Sequence, residues 1–317
     1  MNTLRLDTMT KTGRRVAVWR STPSQSAPGR PIAVVAPGFG RTMADLASLS
    51  LYLTANGVTT YRFDPLDHVG LSDGNIGDYT LGATLESYRA VLRVVRTNEA
   101  WCPVTVVGVS MSARAALRAA YAPNVRRLVS LVGVVDVVAT LSEVIGPGLI
   151  TGESAALPET VDFEIHSIRP HALHAECHNG WGSIEGTVRE MAGLTIPAIA
   201  VYAIGDPWVP ACGVRRVFRP DGRGLRRIFG VPANVHDLGL DPTAALTALE
   251  ALTGAVCGTD PLEPGPVLVP SVDELLETIS AERLWETNQR QVIDLRAHPA
   301  AKRVAAQDGR VALPVGM

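Results

Sequence analysis

The chain has 317 residues, 46% of them hydrophobic, and a formal net charge of -2, which supports a sizeable core and leaves no basic footprint for a nucleic acid. No apolar run reaches the roughly 20 residues of a membrane span, and Met1 to Asp7 lack the basic and apolar regions of a signal peptide, so a soluble cytoplasmic protein is expected. The cysteines, Cys102, Cys177, Cys212 and Cys257, form no C-x-x-C pair, which argues against a disulfide framework or a thiolate metal site.

Arg15 to Arg20 alternates as a strand does, and a Pro/Ser/Gly turn region follows. Pro31 to Ala36 is a continuous apolar run, the pattern of a strand buried on both faces. Pro37-Gly38-Phe39-Gly40 breaks it. Helical spacing runs from about Met43 to Asn56 and is closed by Gly57. A strand over Val58–Phe63, a polar loop to Tyr79 and a helix over about Leu81–Thr97 come next. Val104 to Val109 reads as another buried strand that runs into Ser110, with a helix from about Ser112 to Tyr121 and a strand over Arg127–Val132. This alternation predicts an α/β protein with a mostly parallel central sheet flanked by helices. It stops at about Val137. From there to about Leu194 the chain is polar and Gly-rich, short helices are expected, and it carries four of the seven histidines. Strands over Ile196–Tyr202 and about Leu225–Val231 and a helix over about Pro242–Ala255 resume it. A Pro-rich stretch from Gly258, with Pro261, Pro264, Pro266 and Pro270, leads to a charged helix over about Val272–Arg296. We therefore expect a core of residues 1–136 and 195–257, a cap inserted at 137–194, and a C-terminal extension, 258–317.

Chemistry concentrates at Gly108-Val109-Ser110-Met111-Ser112, between a strand and a helix. A nucleophilic serine needs a tight strand-to-helix turn that lifts its hydroxyl above the sheet, with small neighbours, as in G-x-S-x-G elbows. Ser112 replaces the last glycine of that motif. Serine also needs a base, and His236 follows the last expected sheet strand. Asp206 follows the preceding strand at its C-terminal end, and would fix the imidazole tautomer. Asp237 and Asp241 are the rival acids. For the oxyanion, the N–H of Met111 and an N–H of Gly38-Phe39-Gly40, with Phe39 favoured, are expected. Asp64 to Ser72 resembles the D-x-R-G-x-G-x-S loop of hydrolases, a structural element, and His68 is given no catalytic part. His174 and His178 have the i, i+4 spacing of a zinc pair, and His171 is near, but no acidic motif completes a site. No metal or cofactor is expected.

The elbow and the order Ser, Asp, His resemble the α/β-hydrolase fold. A wider set of residues runs along nearly the whole chain. It comprises His68-Val69-Gly70-Leu71-Ser72, Ser110-Met111-Ser112-Ala113-Arg114, Val132 to Val135 with Thr140-Leu141, Leu157-Pro158, Asp162-Phe163-Glu164 with His166, Asp206 with Trp208-Val209, His236 to Gly239, and Glu282-Arg283-Leu284. Together these resemble the acyltransferase of bacterial bioluminescence operons, a thioesterase of myristoyl-acyl-carrier protein. The resemblance implies Ser110, Asp206 and His236 as nucleophile, acid and base, and its elbow also ends in serine. The chain departs from it at Pro207, where a second aspartate is usual, and in the cap histidines.

The expected activity is release of an acyl chain from a thioester through acyl-Ser110, with acyl-carrier protein or acyl-CoA as partner. Chain length, hydrolysis against transfer, and oligomeric state stay open. The alternatives are a carboxylesterase or lactonase acting on oxygen esters, and a non-catalytic binding protein on the same scaffold. Val144, Ile145, Leu149, Ile150, Leu157, Phe163, Ile165, Ile168, Leu173, Trp181 and Ile184 are candidate linings of an acyl pocket, set against simple packing of the cap.

Overall fold

The computed structural model describes residues 1–24, 29–99, 102–146, 153–219, 225–258 and 266–297. Eight strands form one sheet: β1 (Asn2–Met9), β2 (Arg15–Thr22), β3 (Ile32–Ala36), β4 (Thr59–Phe63), β5 (Val104–Val109), β6 (Val125–Leu131), β9 (Ala198–Ala203) and β10 (Arg226–Val231). Their spatial order is β1-β2-β4-β3-β5-β6-β9-β10. β2 runs antiparallel to both β1 and β4, and every other pairing is parallel. A short hairpin, β7 (Val161–Phe163) and β8 (His166–Ile168), stands apart from the sheet.

The central strands read as they do because both of their faces are covered. All five residues of β3 are buried. Ile32, Val34 and Ala36 join one apolar cluster, with residues of α2 (Leu81–Asn98) and α3 (Ser112–Ala119). Ala33 and Val35 join a second, with α1 (Ala47–Ala55) and the helix that follows β10. A strand of alternating polarity would leave one of these faces unfilled. The helix expected from Met43 opens as a single 3-10 turn, Met43–Leu46, before α1 begins.

Four elements were not anticipated. β1 is an edge strand with no buried residue, whose two leucines at Leu4 and Leu6 are too few to mark a period of two. The β7–β8 strands have three residues each, below the length at which alternation can be read. The seven-residue helix Ala211–Val217 shares that shortness.

Between β6 and β9 lie α4 (Val137–Val144), the hairpin, α5 (Pro170–Glu176), a π turn at Cys177–Trp181, and α6 (Ile184–Gly193). Phe163, Ile168, Leu173 and Trp181 of this segment belong to the same apolar cluster as the sheet face. After β9 come α7 (Ala211–Val217), β10, and α8 (Pro242–Cys257). The last helix, α9 (Val272–Ala297), turns back onto the β2–β4 side of the sheet: Glu282 grips the buried Arg62 at 2.6 and 2.8 Å, and Trp285 stacks on Trp19 at 4.4 Å. Pro261 and Pro264 of the expected linker lie outside the described residues. Among the described residues, no helix is long and apolar enough to cross a membrane.

Candidate active site

β5 ends at Val109, and the chain reverses into α3 through Ser110, whose φ of +51° puts it in the left-handed region. That conformation costs a non-glycine residue on the order of 1–3 kcal/mol and persists only where surroundings enforce it. Here the turn is fastened by its backbone: Ser110 N–H donates to Leu131 O at 3.0 Å, and Ser110 O accepts from Ala113 and Val134, each at 3.1 Å. Gly108 is required by close approach, since a Cβ there would lie 2.5 Å from Ala113 Cα.

The raised hydroxyl meets His236, which sits in the loop after β10. Ser110 Oγ and His236 Nε2 are 2.7 Å apart. On the far side of the ring, His236 Nδ1 lies 2.7 Å from Asp206 Oδ2. An ionised carboxylate can only accept, so Nδ1 carries the ring proton and Nε2 presents its lone pair to the serine. Asp206 itself is held by the turn it begins, where Oδ1 accepts from the backbone N–H of Trp208 and Val209 at 2.8 and 3.0 Å. Pro207, which has no N–H to offer, stands between Asp206 and these two donors. Trp208 covers the imidazole with ring centroids 4.7 Å apart. Asp206 and His236 are 6% and 8% exposed, so little water competes for the bond between them.

The rival acids are engaged elsewhere. Asp237 pairs with Arg41 at 2.8 Å and accepts from Gly239 N–H, while Asp241 caps α8 through Ala244 N–H. Phe39 is buried, with its ring stacked on Phe163 at 4.1 Å. Among the described residues, neither the Phe39 N–H nor the Met111 N–H has a backbone or side-chain acceptor, so both donors are unspent.

His174 and His178 do meet, with their Nε2 atoms 3.1 Å apart, but His171 is exposed, and among the described residues no group of three His, Cys, Asp or Glu is gathered as a metal site would require. All four cysteines carry free thiols. Of the candidate pocket linings, Phe163, Ile168, Leu173 and Trp181 are buried in the core, Ile165 is 90% exposed, and Leu149 and Ile150 lie outside the described residues. Three contacts escaped the sequence reading: Trp208 over the imidazole, the Ser112 hydroxyl on Pro37 O, and His68 Nε2 on Gly40 N–H. Only the adjacency of Trp208 to Asp206 gave a signal. The other two join residues at least 28 positions apart.

Two curated relatives, both described as acyl transferases, align over most of their length. The protein of Photorhabdus luminescens is 30% identical over 78% of this chain and 81% of its own. One from Photobacterium leiognathi is 28% identical over 89% and 91%. Among solved structures, Est1E of Butyrivibrio proteoclasticus with ferulic acid bound superposes with a TM-score of 0.60 at 18% identity, covering 77% of this chain and 97% of that one. The esterase domain from Rhodothermus marinus gives 0.59 at 17%, covering 81% and 98%. These likenesses show the α/β-hydrolase fold. The family profile described as acyl transferase matches residues 5–260, a span that contains Ser110, Asp206 and His236. On that match, the chain belongs to the acyl transferase family.

Proposed function

We propose that the protein is a serine acyltransferase or acyl hydrolase that takes an acyl chain from a thioester of acyl-carrier protein or coenzyme A. The observation that carries this reading is the unbroken chain Ser110–His236–Asp206, with both links at 2.7 Å. His236 removes the Ser110 proton as Oγ attacks the thioester carbonyl, and the Phe39 and Met111 N–H groups receive the oxyanion. When the C–S bond breaks, the imidazolium returns its proton to the departing sulfur, leaving acyl-Ser110. Water or another acceptor, deprotonated by His236, then cleaves that ester. Asp206 keeps Nδ1 protonated and stabilises the imidazolium. In this reading residues 1–136 and 195–257 form the catalytic core, 137–194 cap it, 258–317 extend it, and the enzyme works in the cytoplasm.

The test is intact-mass spectrometry after incubation with acyl thioesters of several lengths. We expect one acyl mass on the wild-type protein and none on Ser110→Ala. Equal labelling of the two would overturn the proposal. Parallel rates on a p-nitrophenyl ester separate thioester preference from a general carboxylesterase.

A further inference from the structure

The loop Pro37-Gly38-Phe39-Gly40 carries one of the two proposed oxyanion donors, yet it makes little internal structure. Its one backbone bond among the described residues runs from Arg41 N–H to Gly38 O, at 3.2 Å. Two side chains from distant parts of the sequence fasten its two ends. Ser112, buried at the start of α3, donates its hydroxyl to Pro37 O at 2.5 Å. His68, buried in the loop after β4, accepts the Gly40 N–H on Nε2 at 3.1 Å. Between these anchors the Phe39 ring is packed by Phe163 at 4.1 Å, Tyr79 at 4.9 Å and His68 at 5.8 Å. Gly40 has φ +69°, and a Cβ there would come within 3.1 Å of the His166 ring, so the loop has no slack on its outer side either.

We propose that His68 and Ser112 are positioning residues that clamp this loop and so aim the Phe39 N–H at the oxyanion. The inference rests on the reading of Ser110 as nucleophile. The bonds attach to the two peptide groups on either side of the Gly38–Phe39 peptide that carries the donor, Pro37–Gly38 through its carbonyl and Phe39–Gly40 through its N–H, so losing either frees the peptide between them to rotate. Ser112 is the residue that stands where elbow motifs usually carry glycine, and a glycine has no hydroxyl to make this bond. His68 can accept only while Nε2 is unprotonated. Burial holds its pKa down to about 4, helped by the neighbouring His166, so the ring is neutral in the neutral range, and the Gly40 N–H on Nε2 selects the tautomer with its proton on Nδ1. A donor displaced by about 1 Å costs on the order of 10²-fold in rate, and an oxyanion donor removed outright about 10²–10³.

The experiment compares His68→Leu, His68→Gln and Ser112→Ala, with Ser110→Ala as reference, using p-nitrophenyl octanoate and a trifluoromethyl ketone that adds to the serine as an oxyanion. Thermal melts establish the folded fraction of each. We expect kcat to fall about 10- to 100-fold in His68→Leu and Ser112→Ala, with KM within about twofold. Affinity for the ketone falls in step. His68→Gln recovers most of the loss, because its amide oxygen accepts the same N–H. If His68→Leu does not fold, Ser112→Ala alone decides the matter. Wild-type kcat in folded Ser112→Ala and His68→Leu, with Ser110→Ala inactive, overturns the clamp and leaves the nucleophile standing. A loss carried by KM without weaker ketone binding overturns it as well. Full activity in Ser110→Ala removes both readings.

Discussion

Asp206 shows how much one side chain settles when both of its oxygens are occupied. Oδ1 is held by two backbone N–H groups, at 2.8 and 3.0 Å, and only Oδ2 faces His236. The carboxylate cannot rotate without breaking bonds to its own turn, so the imidazole meets a fixed acceptor. Asp206→Asn keeps the shape but presents either an amide oxygen or an N–H to Nδ1. In the second case the ring adopts the tautomer whose Nε2 already carries a proton, and the serine loses its base. We expect kcat to drop by about 10²–10⁴, the upper end being the serine-protease precedent, with KM little changed. Steady-state kinetics on a thioester measures it, and near wild-type turnover would reduce Asp206 to a turn residue. The sequence exposed this position because Asp206-Pro207 follows a strand, on the side of the carboxyl ends where open α/β sheets collect their sites. It did not expose the two N–H bonds, because they depend on how the following turn folds back.

The helix α9 is legible in the sequence, but the way it docks is not. Its composition reads as a charged surface helix, and Glu282 and Glu286 look like solvated residues. In the fold they are 5% and 9% exposed. Glu282 takes both terminal nitrogens of Arg62, a side chain with no solvent exposure that also donates to Met43 O and Ser21 Oγ. Glu286 accepts from Thr42 at 3.1 Å, just before the 3-10 turn at Met43. A charge pair joining positions 62 and 282 leaves no trace in local periodicity, whereas β3 and β5 announce themselves through unbroken apolar runs. The buried arginine makes the pair asymmetric under mutation. Glu282→Ala strands an uncompensated guanidinium and should cost about 3–5 kcal/mol, whereas Arg62→Met with Glu282→Leu should cost far less. Urea denaturation of the three proteins tests this. A Glu282→Ala midpoint equal to wild type would mean that α9 is a loose appendage.

At the scale of the molecule, the order β1-β2-β4-β3-β5-β6-β9-β10 brings Ser110, Asp206 and His236 to the ends of three strands on one half of the sheet, β5, β9 and β10. Strand-helix alternation made the parallel part legible, because each βα unit buries two faces and so repeats one pattern. The segment between β6 and β9 resisted reading, because its elements are short and its apolar residues serve the core. Phe163 illustrates this: it is 2% exposed, stacks on Phe39, and belongs to the sheet's own apolar cluster. Under the proposed function, a segment so joined to the loop of the oxyanion donor is the one an acyl chain on Ser110 would meet. An apolar environment there should reward each added methylene by about 0.8 kcal/mol, roughly fourfold in kcat/KM, until the available surface is covered. We therefore predict that kcat/KM climbs from acetyl through the medium-chain thioesters and then levels off. A Phe163→Ala variant, which removes apolar surface beside Phe39, should flatten that climb. The measurement is kcat/KM across an even-numbered series from acetyl to tetradecanoyl thioester. A wild-type profile that stays flat would exclude an acyl-binding surface and point to a small-ester hydrolase.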